Sequence, residues 1–135
     1  MSQNNTFHLA QEFLDALSRS AEPADIANLF SENVEWKFAG DTNALPWIGQ
    51  KSGRAAIIDF LTQSRALIDR ISFEISDVLA NERRAVILGS LASEVKRTGK
   101  VVKTDFAIIL TVNGGEIVRF QMLEDSFAVS QATHP

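Results

Sequence analysis

The sequence predicts an α+β fold, three helices packed on a mostly antiparallel sheet. Apolar residues recur every three to four positions through the first half of the chain, then the period switches to two after Arg70 and stays there. Turn-forming residues punctuate the second half near Asn81, Gly99 and Gly114. A run of helices followed by a run of strands is the pattern of segregated layers, not of a parallel βαβ sheet.

Each element has its own signal. Phe7, Ala10, Phe13, Leu14 and Leu17 form the inward stripe of a first helix, with Asn5 or Thr6 available as N-cap. Pro23 suits the first turn of a short second helix that carries Ile26, Leu29 and Phe30 inward. Residues 34–38 alternate like a strand, and 40–53 read as a loop rich in breakers, with Pro46 and Trp47 in its middle. Ser52 caps a third helix bearing Ile57, Ile58, Leu61 and Leu67. Four strands follow, over 71–79, 85–96, 101–112 and 116–126. The last two form a long hairpin around Asn113-Gly114-Gly115, residues that accept the positive φ of a tight turn.

At 135 residues, 45% hydrophobic and 22% charged, the chain fits a single domain (1–135, core about 7–128) with a core large enough to need no staple. The absence of cysteine removes thiol catalysis, thiolate metal sites and disulfides. A net charge of −4 argues against nucleic acid or an anionic membrane as partner. The longest apolar run, 106–110, is far short of the roughly 20 residues of a membrane helix. The start Met1-Ser-Gln-Asn-Asn-Thr6 has neither basic nor apolar character, so a cytoplasmic protein is expected.

The long strands are apolar on both faces. Thr104, Phe106, Ile108 and Leu110 share the inner one, while Ala107, Ile109, Leu88, Ala92, Ile117 and Leu123 fall on the other. A sheet with one face in water alternates more cleanly. A homodimer through the outer face is therefore expected.

The segments Leu29-Phe-Ser-Glu-Asn-Val-Glu-Trp36, Ile48-Gly-Gln-Lys-Ser-Gly-Arg-Ala-Ala-Ile57 and Asp105-Phe-Ala-Ile-Ile-Leu-Thr-Val-Asn-Gly-Gly-Glu-Ile-Val-Arg-Phe120, closed by Leu123-Glu-Asp-Ser126, resemble the nuclear transport factor 2-like superfamily. Within it the chain is similar to SnoaL-like and ketosteroid isomerase-related proteins, over roughly 7–128. The resemblance implies a cystatin-like curved sheet around a cone-shaped pocket. Facing it would be Trp36, Phe38, Phe73, Gly89, Leu91, Ser93, Thr104, Phe106, Ile108, Met122 and Glu124, with Trp47 near the mouth.

The sequence departs from the superfamily where its chemistry usually sits. Ketosteroid isomerases place an aspartate base on or just after the first strand, where this chain has Trp36-Lys-Phe38. The Asp–Arg–Asp set of limonene epoxide hydrolase aligns with Leu91, Gly89 and Met122. A histidine common in SnoaL-like members is replaced by Ile108. Glu124 is the remaining inward carboxylate, to be read as a general acid or base lifted by apolar walls or as a solvated strand end.

Other polar residues read as structural. Asp125 and Asp105 point outward, the latter beside Lys103, and Glu74 and Glu94 are similar. His8 and His134 lack partners at metal-ligand spacing, so no metal is expected, and no cofactor. Lys96, Arg97, Lys100 and Lys103 form a solvated hairpin end, and Lys51-Ser-Gly-Arg54 lacks phosphate-loop spacing.

The functional expectation is a small-molecule pocket protein for an apolar polyketide-, steroid- or terpenoid-like ligand. Glu124 is its one candidate for proton transfer of the isomerase, cyclase or dehydratase type. The alternative is a non-catalytic ligand-binding or dimerisation module.

Overall fold

Amphipathic spacing makes the first helix, and the computed structural model, which describes residues 3–135, shows which face it buries. Helix α1 (Gln3–Ser18) turns Ala10, Phe13 and Ala16 inward. It already runs through Asn5 and Thr6, so neither residue caps it. Thr6 is buried instead, and its hydroxyl donates to the Glu82 carbonyl at 3.1 Å. Helix α2 (Pro23–Ala27) opens on Pro23 and buries Ile26. Helix α3 (Arg54–Leu67) is preceded by Gly53 rather than capped by Ser52. Gly53 has a φ of +89°, a backbone that glycine adopts without a Cβ penalty. Ala56, Ile57, Leu61 and Ser64 face inward from α3, while Leu67 in its last turn rotates out to 41% exposure.

Six strands form one mixed sheet: β1 (Phe30–Phe38), β2 (Gly49–Ser52), β3 (Ile68–Ala80), β4 (Arg84–Val95), β5 (Lys100–Asn113) and β6 (Glu116–Glu124). Their spatial order is β2-β1-β6-β5-β4-β3. Only the β1–β6 pair is parallel. Strand β2 lies inside the segment read as loop, since four residues are too few to display a period. The hairpin turn is Gly114-Gly115, with φ of +60° and +81°, which matches the right-handed twist of the flanking strands.

The last strand ends at Glu124, earlier than expected. Asp125 becomes the N-cap of a fourth helix, α4 (Ser126–Thr133), accepting a hydrogen bond from the Ala128 amide at 3.0 Å. Eight residues, most of them small, carry too weak a stripe for the helix to be read in advance. Its C-terminal carbonyls are tied down: Thr98 donates to the Ala132 carbonyl (2.6 Å) and Arg97 to that of Thr133 (2.7 Å).

On β5 every second residue from Val102 to Val112 is buried, the inner face expected from the alternation. Bulges break this regularity elsewhere. One between β5 and β6 at Thr111/Val112 brings Ile117 fully inside, although strict alternation places it outside. Another, between Arg70 and Ser72, interrupts the pairing of β3 with β4. Aromatic rings fill the closed end of the layer. Trp36 stacks on Phe120 with centroids 4.5 Å apart and planes within 8°, and Phe13 meets Phe30 edge-on at 5.7 Å. Such pairs add about 0.5–1.5 kcal/mol each beyond burial.

Candidate functional site

The second half of α1, the second half of α3 and the inner face of the sheet do not meet completely. They leave a cavity of about 580 Å³, bordered also by Leu45 and Trp47 of the β1–β2 loop and by Val129 of α4. That size suits a drug-sized molecule. Its wall is largely apolar: Phe13, Phe38, Trp47, Phe60, Ile108 and Met122 all contribute.

Of the residues singled out in the sequence, Phe38, Trp47, Phe73, Leu91, Ser93, Ile108, Met122 and Glu124 line this cavity. Trp36, Thr104, Phe106 and Gly89 do not. Trp36 is only 2% exposed, wedged against Phe120, and its indole N–H donates to the Trp47 carbonyl at 2.9 Å. It positions the loop that carries Trp47 instead of touching the cavity itself. Thr104 accepts a hydrogen bond from the Asp125 amide (2.8 Å) and donates to the Asp105 carbonyl (2.6 Å), so its hydroxyl is occupied at the end of β6. Phe106 lies between Gly89 and Phe73, stacked on the Phe73 ring at 5.0 Å, and is covered by it.

Glu124 is the last residue of β6, paired across the sheet with Phe106. Burial among apolar side chains pushes its carboxyl up to about 7. The positive charge of Arg70 pulls against that push, and the nearby Asp125 adds slightly to it. Asp125 itself faces out as the α4 cap. A carboxyl of this acidity takes up and releases protons near neutral pH, which is what a general acid or base requires.

The sequence gives no warning of Arg70. Counting back from Phe73 by twos puts Ile71 inside and Arg70 outside. The bulge reverses this, so Arg70 pairs with Ser93 and Phe73 with Leu91, all on the inner face, while Ile71 is 58% exposed. The Arg70 guanidinium sits 5.3 Å from the Phe73 ring centroid, a cation–π distance. Although the residue as a whole is exposed, the protein around its charged end lowers its pKa, and Glu124 acts in the opposite direction. Leu17, Phe60, Leu61 and Ser64 also border the cavity unannounced, because a helical stripe does not reveal which of its residues meet a neighbour and which meet a void.

Among the described residues, no group of three or more histidine or acidic side chains is placed to hold a metal, and no helix is long and apolar enough to cross a membrane. Arg54 is engaged structurally, donating to the Phe30 carbonyl (2.9 Å) and pairing with Glu116 (3.4 Å).

An NTF2-like protein of Burkholderia xenovorans superposes with a TM-score of 0.88 over 99% of both chains, at 21% identity. A candidate SnoaL-like polyketide cyclase of Mesorhizobium loti gives 0.71 at 15% identity, covering 86% of this chain and 96% of that one. TerC, co-crystallised with polyporic acid, gives 0.80 at 17% identity over 96% and 98%. These likenesses are of fold. No curated protein matches by sequence. The model of the SnoaL-like domain matches residues 10–120, and the chain belongs to that family.

Proposed function

We propose that this is a cytoplasmic small-molecule protein that holds a largely apolar ligand in the cavity and uses Glu124 to move a proton on it. The observation that carries the reading is the Glu124 carboxyl, lifted to about 7, on the wall of a largely apolar chamber of about 580 Å³. The chemistry it suits is proton abstraction or return next to a carbonyl, the isomerase or cyclase type. The cyclase description of the Mesorhizobium protein and the co-crystal of TerC with polyporic acid lean the same way for the fold.

Native mass spectrometry of freshly purified protein, followed by thermal-shift screening of polycyclic ketones and terpenoids, tests the binding half. Retained ligand or a saturable shift is expected. Failure of both removes the reading. Once a substrate is in hand, Glu124→Gln turning over at the full rate eliminates Glu124 as the catalyst.

A non-catalytic carrier is favoured by a different observation. Among the described residues Glu124 has no hydrogen-bonded partner to orient it, and Ile108 and the Trp36–Phe38 stretch offer no second acid or base.

We also propose a homodimer through the outer sheet face. Strand register aligns Leu79, Val86 and Ile109 in one row across that face, and Leu88, Ala107 and Leu123 in the next. Leu79 is 54% and Leu123 45% exposed, a cost that a second copy would relieve.

A further inference from the structure

We propose that the ligand of this cavity is an amphipathic anion, its apolar body against Phe38, Trp47, Ile108 and Met122 and its oxyanion held by the Arg70 guanidinium and the Ser93 hydroxyl. This rests on the reading of the cavity as a ligand site and adds the class of molecule it takes.

Arg70 stands apart from the other arginines near the core. Arg65, also at the cavity, donates to the Ala21 carbonyl at 2.8 Å. Arg54 and Arg97 are likewise committed to backbone carbonyls. Among the described residues Arg70 has neither a hydrogen bond nor an ion pair. Its guanidinium lies over the face of Phe73 and feels the charge of Glu124, but no hydrogen bond takes up its five N–H donors.

Ser93 is the residue directly opposite Arg70 across the β3–β4 pair. It is 3% exposed, it lines the cavity, and its hydroxyl has no protein partner among the described residues. The hydroxyl oxygen is not sealed from the cavity, so its O–H is open to an acceptor held there. A guanidinium and a hydroxyl on neighbouring strands, both donors and both unused, define a seat for an oxyanion.

The remaining charges favour the same sign. Asp69 on β3 also borders the cavity, and its carboxylate is paired with Lys96 at 3.6 Å. Asp125 faces outward as a helix cap. Arg65 adds a second positive charge at the cavity from α3, and Glu124 from β6 is largely neutral below its pKa of about 7. At slightly acid pH the two arginines therefore outweigh Asp69, which Lys96 already pairs, and the chamber carries net positive charge. Above neutrality Glu124 ionises and opposes an anion.

Two fluorescent probes on one skeleton test this with the full chain: anilinonaphthalenesulfonate, and phenylnaphthylamine, which lacks the sulfonate. At about pH 6 the sulfonate should bind at one site per chain, about tenfold or more tighter than the amine, as expected for a charge-assisted contact. Arg70→Met should remove that preference while leaving the amine within about twofold, and Ser93→Ala should lower it by about threefold. Raising the pH to about 8 should narrow the preference in the wild type but not in Glu124→Gln.

Equal affinity of the wild type for both probes overturns the inference and leaves the ligand site intact. An Arg70→Met variant that keeps the sulfonate preference overturns it as well. If neither probe binds saturably, the ligand-site reading itself falls, and the inference with it. Melting curves accompany each variant. Should Arg70→Met unfold early, the wild-type preference and the Ser93→Ala titration decide.

Discussion

The ring of Phe106 lies directly on the bare backbone of Gly89, its partner across the β4–β5 pair. A Cβ placed on Gly89 would come within 2.7 Å of the Phe106 Cζ and closer still to the Glu74 carbonyl oxygen. Glycine in a strand marks such close approaches. Here the missing side chain lets Phe106 fold flat beneath Phe73, and of the stacked pair it is Phe73 that borders the cavity beside Arg70.

Gly89→Ala should therefore destabilise the protein, although alanine ordinarily suits a strand better than glycine. The obstructing carbonyl is backbone and cannot step aside. A loss of about 1–3 kcal/mol is expected, the usual cost of overpacking, measured by urea unfolding. An unchanged midpoint would mean that the ring and the strand shift freely.

The pH dependence of stability should carry the signature of Glu124. Its folded pKa of about 7 lies above the value of 4.5 for a free carboxyl. The native state therefore carries no penalty below about pH 4.5, and it loses stability as pH rises through 7. Glu124→Gln should match the wild type near pH 4 and exceed it near pH 8. The gain should be about 1–2 kcal/mol, discounted because part of the carboxyl meets solvent. Calorimetric melting at the two pH values measures it. A variant less stable than the wild type at pH 8 would contradict the raised pKa.

Trp36→Phe removes the hydrogen bond to the Trp47 carbonyl and part of the stack on Phe120. We expect a loss of about 1–3 kcal/mol by chemical denaturation. A loss under about 0.5 kcal/mol would show that water replaces the indole.

Asp125 should separate into its charge and its cap. Asp125→Ala removes the acceptor for the Ala128 amide and should cost about 1 kcal/mol, whereas Asp125→Asn should retain most of the stability. Both variants should lower the pKa of Glu124 slightly, because Asp125 helps to raise it. Carboxyl titration by NMR reads this directly.

Leu123→Glu places a charge in the apolar band of the outer face, away from the cavity. If that band joins two copies, the substitution should turn dimers into monomers in sedimentation at micromolar concentration while the melting of the cavity side is preserved. A wild type that already sediments as a monomer removes the dimer proposal.

The architecture was legible wherever one face of an element is buried and long enough to show its period. Strands β4 to β6 and the stripes of α1 and α3 all meet that condition, whereas β3 has no fully buried residue and was marked by its apolar content and flanking turn. The condition fails for β2, with four residues, and for α4, whose short, mostly small-residue run displays no strong stripe. The cavity wall was half legible. Alternation on β5 and β6 leads to Ile108, Met122 and Glu124, but says nothing of Phe106 being covered by Phe73 or of Trp36 being sealed behind Phe120. Arg70 was hidden for a backbone reason, since a bulge changes which residues share a side without changing their names.

That bulge is, in effect, a spare residue. With Arg70 inward, Ile71 set aside, Ser72 outward and Phe73 inward, deleting Ile71 would restore alternation from Arg70 to Ile75 and leave each of these neighbours on its present side. Inserting one residue between Ser72 and Phe73 would instead invert half the strand. What Ile71 adds is curvature, because a bulged strand bends and twists more than a regular one. The shape of the chamber at its β3 edge and the chemistry displayed there are thus set by separate features of the chain. Length variation at this position would re-contour the opening while leaving the guanidinium in place.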